Sequence, residues 1–109
     1  RIPDLKIPNS KNQQFIVSTY DVTDDWSPIY DKSCIDGYYM AIGTSGNQFK
    51  NTPVVGLMMS QLIDKCENGY DHDKKPFKYK LKKTKGNTIN MGAFSRLREV
   101  KPNNGNVFG

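Results

Sequence analysis

The sequence has few of the residues that build metal centres, disulfide frameworks and membrane spans. It contains one His and two Cys in 109 residues, and Cys34 and Cys66 lack a CxxC spacing. This pattern favours free thiols in a reducing compartment, so we expect a cytoplasmic location, with a disulfide between the two as the alternative. No stretch approaches the ~20 apolar residues that cross a bilayer, and no signal-like segment opens the chain, so we expect no membrane association.

The usual phosphate-binding and metal-binding motifs are also missing. The sequence has neither a GxGxxG fingerprint nor a Gly-Lys-Ser/Thr P-loop, so it carries no dinucleotide site of its own. The one His, His72, lies between Asp71 and Asp73. A lone Asp-His-Asp offers poor geometry for a metal ion. We therefore predict no metal site and place His72 in a surface loop after a helix.

Hydrophobic residues are scarce. Only 36% of the residues are hydrophobic and the mean hydropathy is −0.70, which is lean for a core that stabilises a domain by itself. The length allows one domain at most, and the chain opens on Arg1-Ile2-Pro3 without a Met. These features lead us to expect a piece of a larger protein.

Positive charge, by contrast, is abundant and concentrated. The net charge is +5, and residues 74–85 hold seven Lys in twelve positions, interleaved with Phe77, Tyr79 and Leu81. The alternation predicts a strand with one apolar face and one solvated basic face. Lys at strand spacing is typical of an edge that resists pairing with other sheets. The alternative is a surface that binds nucleic acid or an acidic partner.

Residues 37–63 are the most informative part of the sequence. The run Tyr38–Ile42 has no alternation, which predicts a strand covered on both faces. A Gly-Thr-Ser-Gly loop follows, and Thr52-Pro53 then predicts a helix with Thr52 as its N-cap. Gly56 inside that helix costs about 1 kcal/mol relative to Ala, which a closely approaching backbone or ligand would explain. Loop N–H groups and a helix N-terminus suit an anion or a cofactor, although an ordinary strand-to-helix turn has the same pattern.

The neighbouring segments are less regular. Residues 15–20 are β-branched and aromatic, which predicts a strand. Residues 21–28 are rich in turn formers, and Trp26 among them is predicted to anchor the core, with cation binding beside the two preceding carboxylates as the alternative. A short strand is predicted at Ile29-Tyr30, and residues 87–98 are predicted to form a short helix or an irregular arm.

These elements predict an α+β fold with few strands, one main helix at about residues 52–67, and a basic tail of β or irregular structure. Residues 1–69 would contain a strand, a turn, a strand, the glycine loop and the helix, which Gly69 would end as a C-terminal cap. Residues 70–109 would form a basic C-terminal extension.

Two motifs carry a family resemblance. GTSGNQFK at residues 43–50, followed by NTPVVGLMMSQLI at residues 51–63, strongly resembles the C-terminal part of the FAD-dependent amine oxidoreductases. That superfamily comprises D-amino-acid oxidase, sarcosine oxidase, and the dimethylglycine and sarcosine dehydrogenases. Upstream, YDVTDDWSPI at residues 20–29 looks like the Tyr-x-x-T-P-D-x-x-P-I segment of the same family. Together the matches cover about residues 15–66.

The resemblance implies the C-terminal portion of a two-domain enzyme that oxidises a secondary or tertiary amine of the N-methyl amino-acid type. Lys50 would bind the substrate carboxylate and Tyr20 would lie over the substrate, so these are the implied catalytic residues. The implied cofactor-binding residues, whose backbone N–H groups would face the pyrimidine edge of FAD, are Gly43, Thr44, Ser45, Gly46, Asn47, Gln48, Phe49 and Lys50.

Four positions depart from the family pattern. Ser18 stands where the sarcosine oxidase branch has a Cys that carries the flavin, so we expect non-covalent FAD at this segment. Asn47-Gln48 replaces the family's His-Gly, and Asp24 replaces its Pro. The implied partners are the N-terminal FAD-binding part of the same protein and a small amine, and the isolated 109 residues would be inactive. The alternatives are a small basic module that binds nucleic acid or an acidic partner, and a non-catalytic structural remnant.

Overall fold

One helix packs against two small antiparallel sheets. The structure is a computed structural model that describes residues 14, 16–46, 48–82 and 84–100. The α+β prediction is confirmed. The elements, in chain order, are β1 (Ile29–Lys32), β2 (Tyr39–Ile42), α1 (Thr52–Glu67), β3 (Lys78–Lys80) and β4 (Thr88–Asn90).

The first sheet is a hairpin of β1 and β2. Ile29 lies opposite Ile42 and Lys32 opposite Tyr39, and the Ser33 N–H closes the connection by donating to the Tyr38 carbonyl at 2.8 Å. The predicted strand after the turn is present, but the prediction that it is covered on both faces is wrong for the described part of the chain. Ile42 is 46% exposed, because β1 is the only described strand beside β2.

The strand predicted at residues 15–20 is not formed. Residues 16–20 are exposed and lie in no sheet, and Phe15 lies outside the described residues. A strand needs a neighbouring strand to receive and donate its backbone hydrogen bonds, and no described strand pairs with this segment. Its β-branched composition is therefore not sufficient to make it a strand.

Helix α1 has the predicted bounds but a different cap. A 3₁₀ turn at Phe49–Asn51 leads directly into α1, so Asn51 is the N-cap and Thr52 is already helical, with φ −48° and ψ −44°. The Thr52 hydroxyl donates to the Phe49 carbonyl at 2.7 Å. At the other end Gly69, with φ +84°, donates its N–H to the Cys66 carbonyl at 2.9 Å and ends the helix as predicted.

The inner face of α1 contributes Met58 and Leu62 to the core. Gly56 lies on its outer side. Apart from the neighbouring backbone of α1 itself, no atom of the described residues comes within 4 Å of the position that a Cβ would take there. The approach that we expected at Gly56 is therefore not made within the described part of the chain.

The second sheet pairs β3 with β4. Phe77 and Tyr79 are buried while Lys78 and Lys80 are exposed, which is the predicted alternation in a strand of only three residues. Residues 87–98, predicted as a helix or an irregular arm, contain β4 and a 3₁₀ turn at Met91–Phe94.

The core contains side chains from both of the predicted segments, residues 1–69 and residues 70–109. Its buried apolar side chains come from both sheets, the helix and the last turn, and they are Tyr30, Met58, Leu62, Phe77, Tyr79 and Met91. Trp26 is only half-buried and is not among them, so the prediction that it anchors the core is wrong. Its backbone, with φ +57°, lies in the turn before β1.

Both cysteines are free thiols, with Cys34 exposed and Cys66 half-buried. Burial raises the pKa of the Cys66 thiol, which lowers the reactivity of this thiol at neutral pH. Of the helices in the described residues, none has the length and apolar character needed to cross a membrane.

Candidate functional site

The glycine loop, residues 43–46, connects β2 to the 3₁₀ turn that begins α1. Gly43, Ser45 and Gly46 all have left-handed backbone conformations, with φ of +69°, +50° and +70°. Glycine adopts this conformation without a steric penalty, whereas Ser45 is strained in it. The space beside Gly43 is also filled, since a Cβ there would lie 2.6 Å from the methyl group of Thr23.

Asp21 holds the glycine loop in place. Its carboxylate accepts hydrogen bonds from the Gly43 N–H, from the Thr44 N–H at 3.3 Å and from the Thr44 hydroxyl at 3.0 Å. Its carbonyl accepts from the Ser45 N–H at 2.8 Å. The Gly43 N–H is the main cause that lowers the pKa of Asp21, so this carboxylate is ionised at neutral pH.

The sequence reasoning missed Asp21. Its position beside Tyr20 and the tendency of Asp to accept backbone N–H bonds in turns were the only signals. Neither signal connects it to a loop that begins 22 residues later.

The hydrogen bonds of Asp21 divide the predicted cofactor-binding residues into two groups. The N–H groups of Gly43, Thr44 and Ser45 point at Asp21. The N–H groups of Gly46, Gln48 and Phe49 have no acceptor within the part of the chain that the structure describes. Asn47 lies outside the described residues. Donors for a ligand are therefore available in the second half of the segment.

The predicted catalytic residues lie on either side of this segment. The ring of Tyr20 packs on Gly46, with its nearest carbon 3.2 Å from the position that a Cβ would take, and the side chain is 55% exposed. Lys50 is exposed in the 3₁₀ turn, and among the described residues it has no ion-pair partner. The structure thus brings Tyr20 to the glycine loop and leaves Lys50 at the start of α1, facing solvent.

A cavity of about 300 Å³ opens between the glycine loop, β2 and the first turn of α1. This size lies at the lower end of the range for small-molecule sites. Its lining residues are Tyr30, Ala41, Thr44, Gly46, Gln48, Phe49, Thr52 and Val55. Neither Lys50 nor Tyr20 is among them.

Two features of the lining matter for recognition. Phe49 is 94% exposed at the cavity edge, an unusual position for a large apolar ring. The side-chain amide oxygen of Gln48, Oε1, accepts from the Asn51 side chain at 2.7 Å and from the Tyr30 hydroxyl at 3.4 Å, which fixes the orientation of the amide. The cavity therefore combines an exposed aromatic ring, a held amide and the positive end of a helix.

Comparisons with models of protein families, with curated proteins and with solved structures find no match to this chain. Any assignment of function consequently depends on the motifs and on the geometry just described. Among the described residues, no group of three or more His, Cys, Asp or Glu side chains is arranged so that it could hold a metal ion.

A second group of polar residues is formed around Asp31 in β1. We call it the Asp31 cluster, and its members are Asp31, Lys32, His72, Asp73 and Arg96. Asp31 is fully buried and accepts from the Ser95 hydroxyl, the Arg96 N–H and the Lys32 N–H, each at 2.8 Å. Arg96 donates to both oxygens of Asp73 at 2.8 Å, and this pairing lowers the pKa of Asp73. The cluster connects β1, the loop after α1 and the segment after the last 3₁₀ turn.

His72 belongs to this cluster, and its predicted place in a surface loop is wrong. The side chain is fully buried, its Nδ1 accepts from the Phe77 N–H at 3.4 Å, and its Nε2 lies 3.6 Å from Asp31. Burial is the main cause that lowers the pKa of His72. The error arose because nothing in the local Asp-His-Asp pattern shows that Asp31, 41 positions earlier, lies against it.

Proposed function

We propose that this chain is the C-terminal portion of an FAD-dependent oxidoreductase that oxidises a secondary or tertiary amine of the N-methyl amino-acid type. The observation that carries the proposal is the glycine loop. The two motifs that resemble the family, at residues 20–29 and 43–50, are in contact through Asp21 and Tyr20. The loop has a left-handed backbone that Asp21 holds in place, and N–H groups without an acceptor lie next to a helix N-terminus. Such an arrangement is suited to a planar, electron-rich ring system.

Each part of the segment has a distinct role in this proposal. The N–H groups of Gly46, Gln48 and Phe49, together with the positive end of α1, would stabilise negative charge at the pyrimidine edge of the flavin. FAD, when bound, supplies an acceptor for the hydride that leaves the carbon next to the amine nitrogen, and water then hydrolyses the resulting imine. Phe49 would cover the edge of the ring, and Ser18 leaves the flavin without a covalent attachment here.

Lys50 would bind the carboxylate of the substrate. Its positive charge lies at the start of α1, where the helix dipole is also positive, and that placement is unfavourable unless an anion is nearby. A substrate carboxylate would supply the missing negative charge. Tyr20, packed on Gly46, would lie over the bound substrate and limit its orientation.

The rest of the site would come from the N-terminal FAD-binding part of the same protein, which would carry the dinucleotide motif. Large apolar side chains that are exposed on β2 and on the outer side of α1 give such a part a surface to cover. They include Ile42, Val54, Leu57 and Ile63. Gly56 lies on the same helix with open space around it, where another backbone could pack closely. We place the protein in the cytoplasm, without a nucleic-acid or membrane partner.

The test uses the longer protein that contains these residues. It should purify with FAD, and an N-methyl amino acid should bleach the flavin absorption under anaerobic conditions. Lys50→Met should raise the KM for the substrate by roughly 10- to 100-fold, the value of a charge-assisted hydrogen bond of about 1.5–3 kcal/mol. Lys80→Met, an exposed lysine of β3, is the matched control and should leave the KM unchanged. A protein without flavin, or equal effects of the two variants, would contradict the proposal.

One observation favours a second candidate function. Lys78 and Lys80 project from β3 into solvent, as a basic module for nucleic acid or an acidic partner would require. Binding of a single-stranded oligonucleotide that weakens steeply as salt is raised, by a protein that takes up no flavin, would support this candidate. A chain that shows neither property would be a structural remnant.

A further inference from the structure

Arg98 ties the end of the described chain to the turn that precedes β1. Its Nε and Nη2 donate to the two carboxylate oxygens of Asp25 at 2.8 and 2.7 Å, and Nη2 also donates to the Ser27 carbonyl at 2.9 Å. Only about a tenth of each side chain is exposed, 10% for Arg98 and 11% for Asp25. This pairing is two-pronged, largely shielded from water, and the main cause that lowers the pKa of Asp25.

Asp25 is also the centre of the turn at residues 23–27. Its carboxylate accepts from the Ser27 N–H at 3.1 Å, and the Thr23 hydroxyl lies within hydrogen-bond distance of both Asp25 and the Ser27 carbonyl, at 2.9 and 2.8 Å. Trp26 has a left-handed backbone there, which is strained for a bulky residue. A strained turn keeps its shape only where the surrounding contacts hold it, and Arg98 supplies three of them.

The same short segment contacts the glycine loop. The Thr23 methyl fills the space beside Gly43, and Asp21, two residues earlier, binds the N–H groups of Gly43, Thr44 and Ser45. Residues 21–27 therefore connect Arg98 at one end to the glycine loop at the other.

We propose that Arg98 is a positioning residue for the glycine loop. Through Asp25 it fixes the turn at residues 23–27, and this turn holds Thr23 and Asp21 against Gly43. The segment after Ser95, which the sequence assigns to a basic extension, would then be part of the machinery that shapes the loop. The role of the glycine loop as a cofactor site depends on the proposed function. The coupling between Arg98 and the loop does not depend on it.

The test measures amide hydrogen exchange in the 109-residue chain by NMR, without flavin. Arg98→Gln should speed exchange at Gly43, Thr44 and Ser45 by roughly 10- to 100-fold, the value of a lost charge-assisted hydrogen bond, and should leave Leu62 in α1 much less affected. Asp25→Asn should act in the same way. The double variant should exchange little faster at these amides than Asp25→Asn alone, because two of the three hydrogen bonds from Arg98 to the turn go to Asp25.

Two further variants separate positioning from general stability. Lys74→Gln removes an exposed ion pair with Asp71, 3.0 Å long, and should not change exchange at the loop. Arg98→Lys retains the charge but loses the two-pronged geometry, so it should give an intermediate effect, and it carries the test if Arg98→Gln unfolds the chain.

Equal acceleration at Leu62 and Gly43, unchanged exchange at the loop, or additive effects in the double variant would each overturn the proposal. Flavin content of the longer protein is a separate readout. A protein that takes up no flavin but shows the exchange pattern would retain the positioning role of Arg98 and lose the proposed function.

Discussion

Asp31, in the Asp31 cluster, and the glycine loop differ in how their polar groups are paired. In the cluster, Asp31 is fully buried and accepts hydrogen bonds from Lys32 in β1 and from Ser95 and Arg96 after the last 3₁₀ turn. Among the described residues, the buried Nε2 of His72 has no hydrogen-bond partner. In the glycine loop, the backbone is left-handed at three positions. The N–H groups of Gly46 and, just after the loop, of Gln48 and Phe49 find no acceptor among the described residues. Buried polar groups are normally paired, and strain tends to collect where a protein binds something. The comparison gives the cluster a role in stability and supports the proposal that the loop binds a ligand.

The largest effect should come from breaking the cluster. Asp31→Asn removes the buried charge that Arg96 and the Ser95 hydroxyl contact, which should lower the free energy of unfolding by about 3–5 kcal/mol. Urea unfolding of the chain measures this loss. Asp36→Asn, an exposed carboxylate in the first hairpin loop, is the control and should change stability by less than about 0.5 kcal/mol. Similar losses in both variants would mean that the cluster does not hold the fold.

The next effect tests the loop. Gly43→Ala places a Cβ 2.6 Å from the Thr23 methyl group in a residue with φ +69°, which should cost about 2 kcal/mol or more. Gly56→Ala is the matched control because its Cβ would meet open space in a helix, where Ala is more stable than Gly by roughly 1 kcal/mol. The two substitutions should therefore shift the thermal midpoint in opposite directions. A stable Gly43→Ala variant would show that the loop is not braced as described.

The comparison also shows which features a sequence can predict. The start of α1 near Thr52-Pro53 and its end at Gly69 were predictable, because caps and breakers act over a few residues. The alternation around Tyr79 was predictable for the same reason, since neighbouring side chains of a strand point to opposite faces. Local patterns were sufficient for the helix and for β3. They did not predict β4, which lies in residues 87–98, where a short helix or an irregular arm was expected.

The contacts that define both regions were not predictable. Asp21 meets a loop that begins 22 residues later, and His72 meets Asp31 across 41 positions. No local propensity encodes such pairings, which depend on how the elements pack. The exposure of Ile42 has a different origin, because its run of apolar residues is suited to a neighbour that the described residues do not include. The glycine loop was therefore located from the sequence, whereas its contacts with Asp21 were not.

A smaller effect should appear as pH dependence. Burial lowers the pKa of His72 in the folded chain, despite the opposing attraction of Asp31 and Asp73 and with some help from Lys32 and Arg96. The unfolded chain therefore binds the proton first, so stability is full above pH 6.5 and falls as pH drops below that value.

The measurement is urea unfolding at several pH values between 7 and about 5. Carboxylates such as Asp25 and Asp73 have lowered pKa values, from an ordinary value of 3.8, so they remain ionised over this interval. His72→Gln should be less stable at neutral pH but should lose the slope. A slope that persists in this variant would mean that another group titrates, and that the cluster is not the pH-sensitive region.

The smallest effect tests whether the backbone of Ser45 is strained in the glycine loop. Ser45 has φ +50°, where a side chain costs about 1–2 kcal/mol, so Ser45→Gly should relieve strain that offsets the greater flexibility of glycine in the unfolded chain. The net change should be close to zero or slightly stabilising. Ser60→Gly, in the exposed side of α1, has no strain to relieve and should lose about 0.5 kcal/mol or more, including its hydroxyl bond to the Leu57 carbonyl. Equal losses at both positions would mean that the left-handed conformation of Ser45 is not imposed by Asp21 and its neighbours.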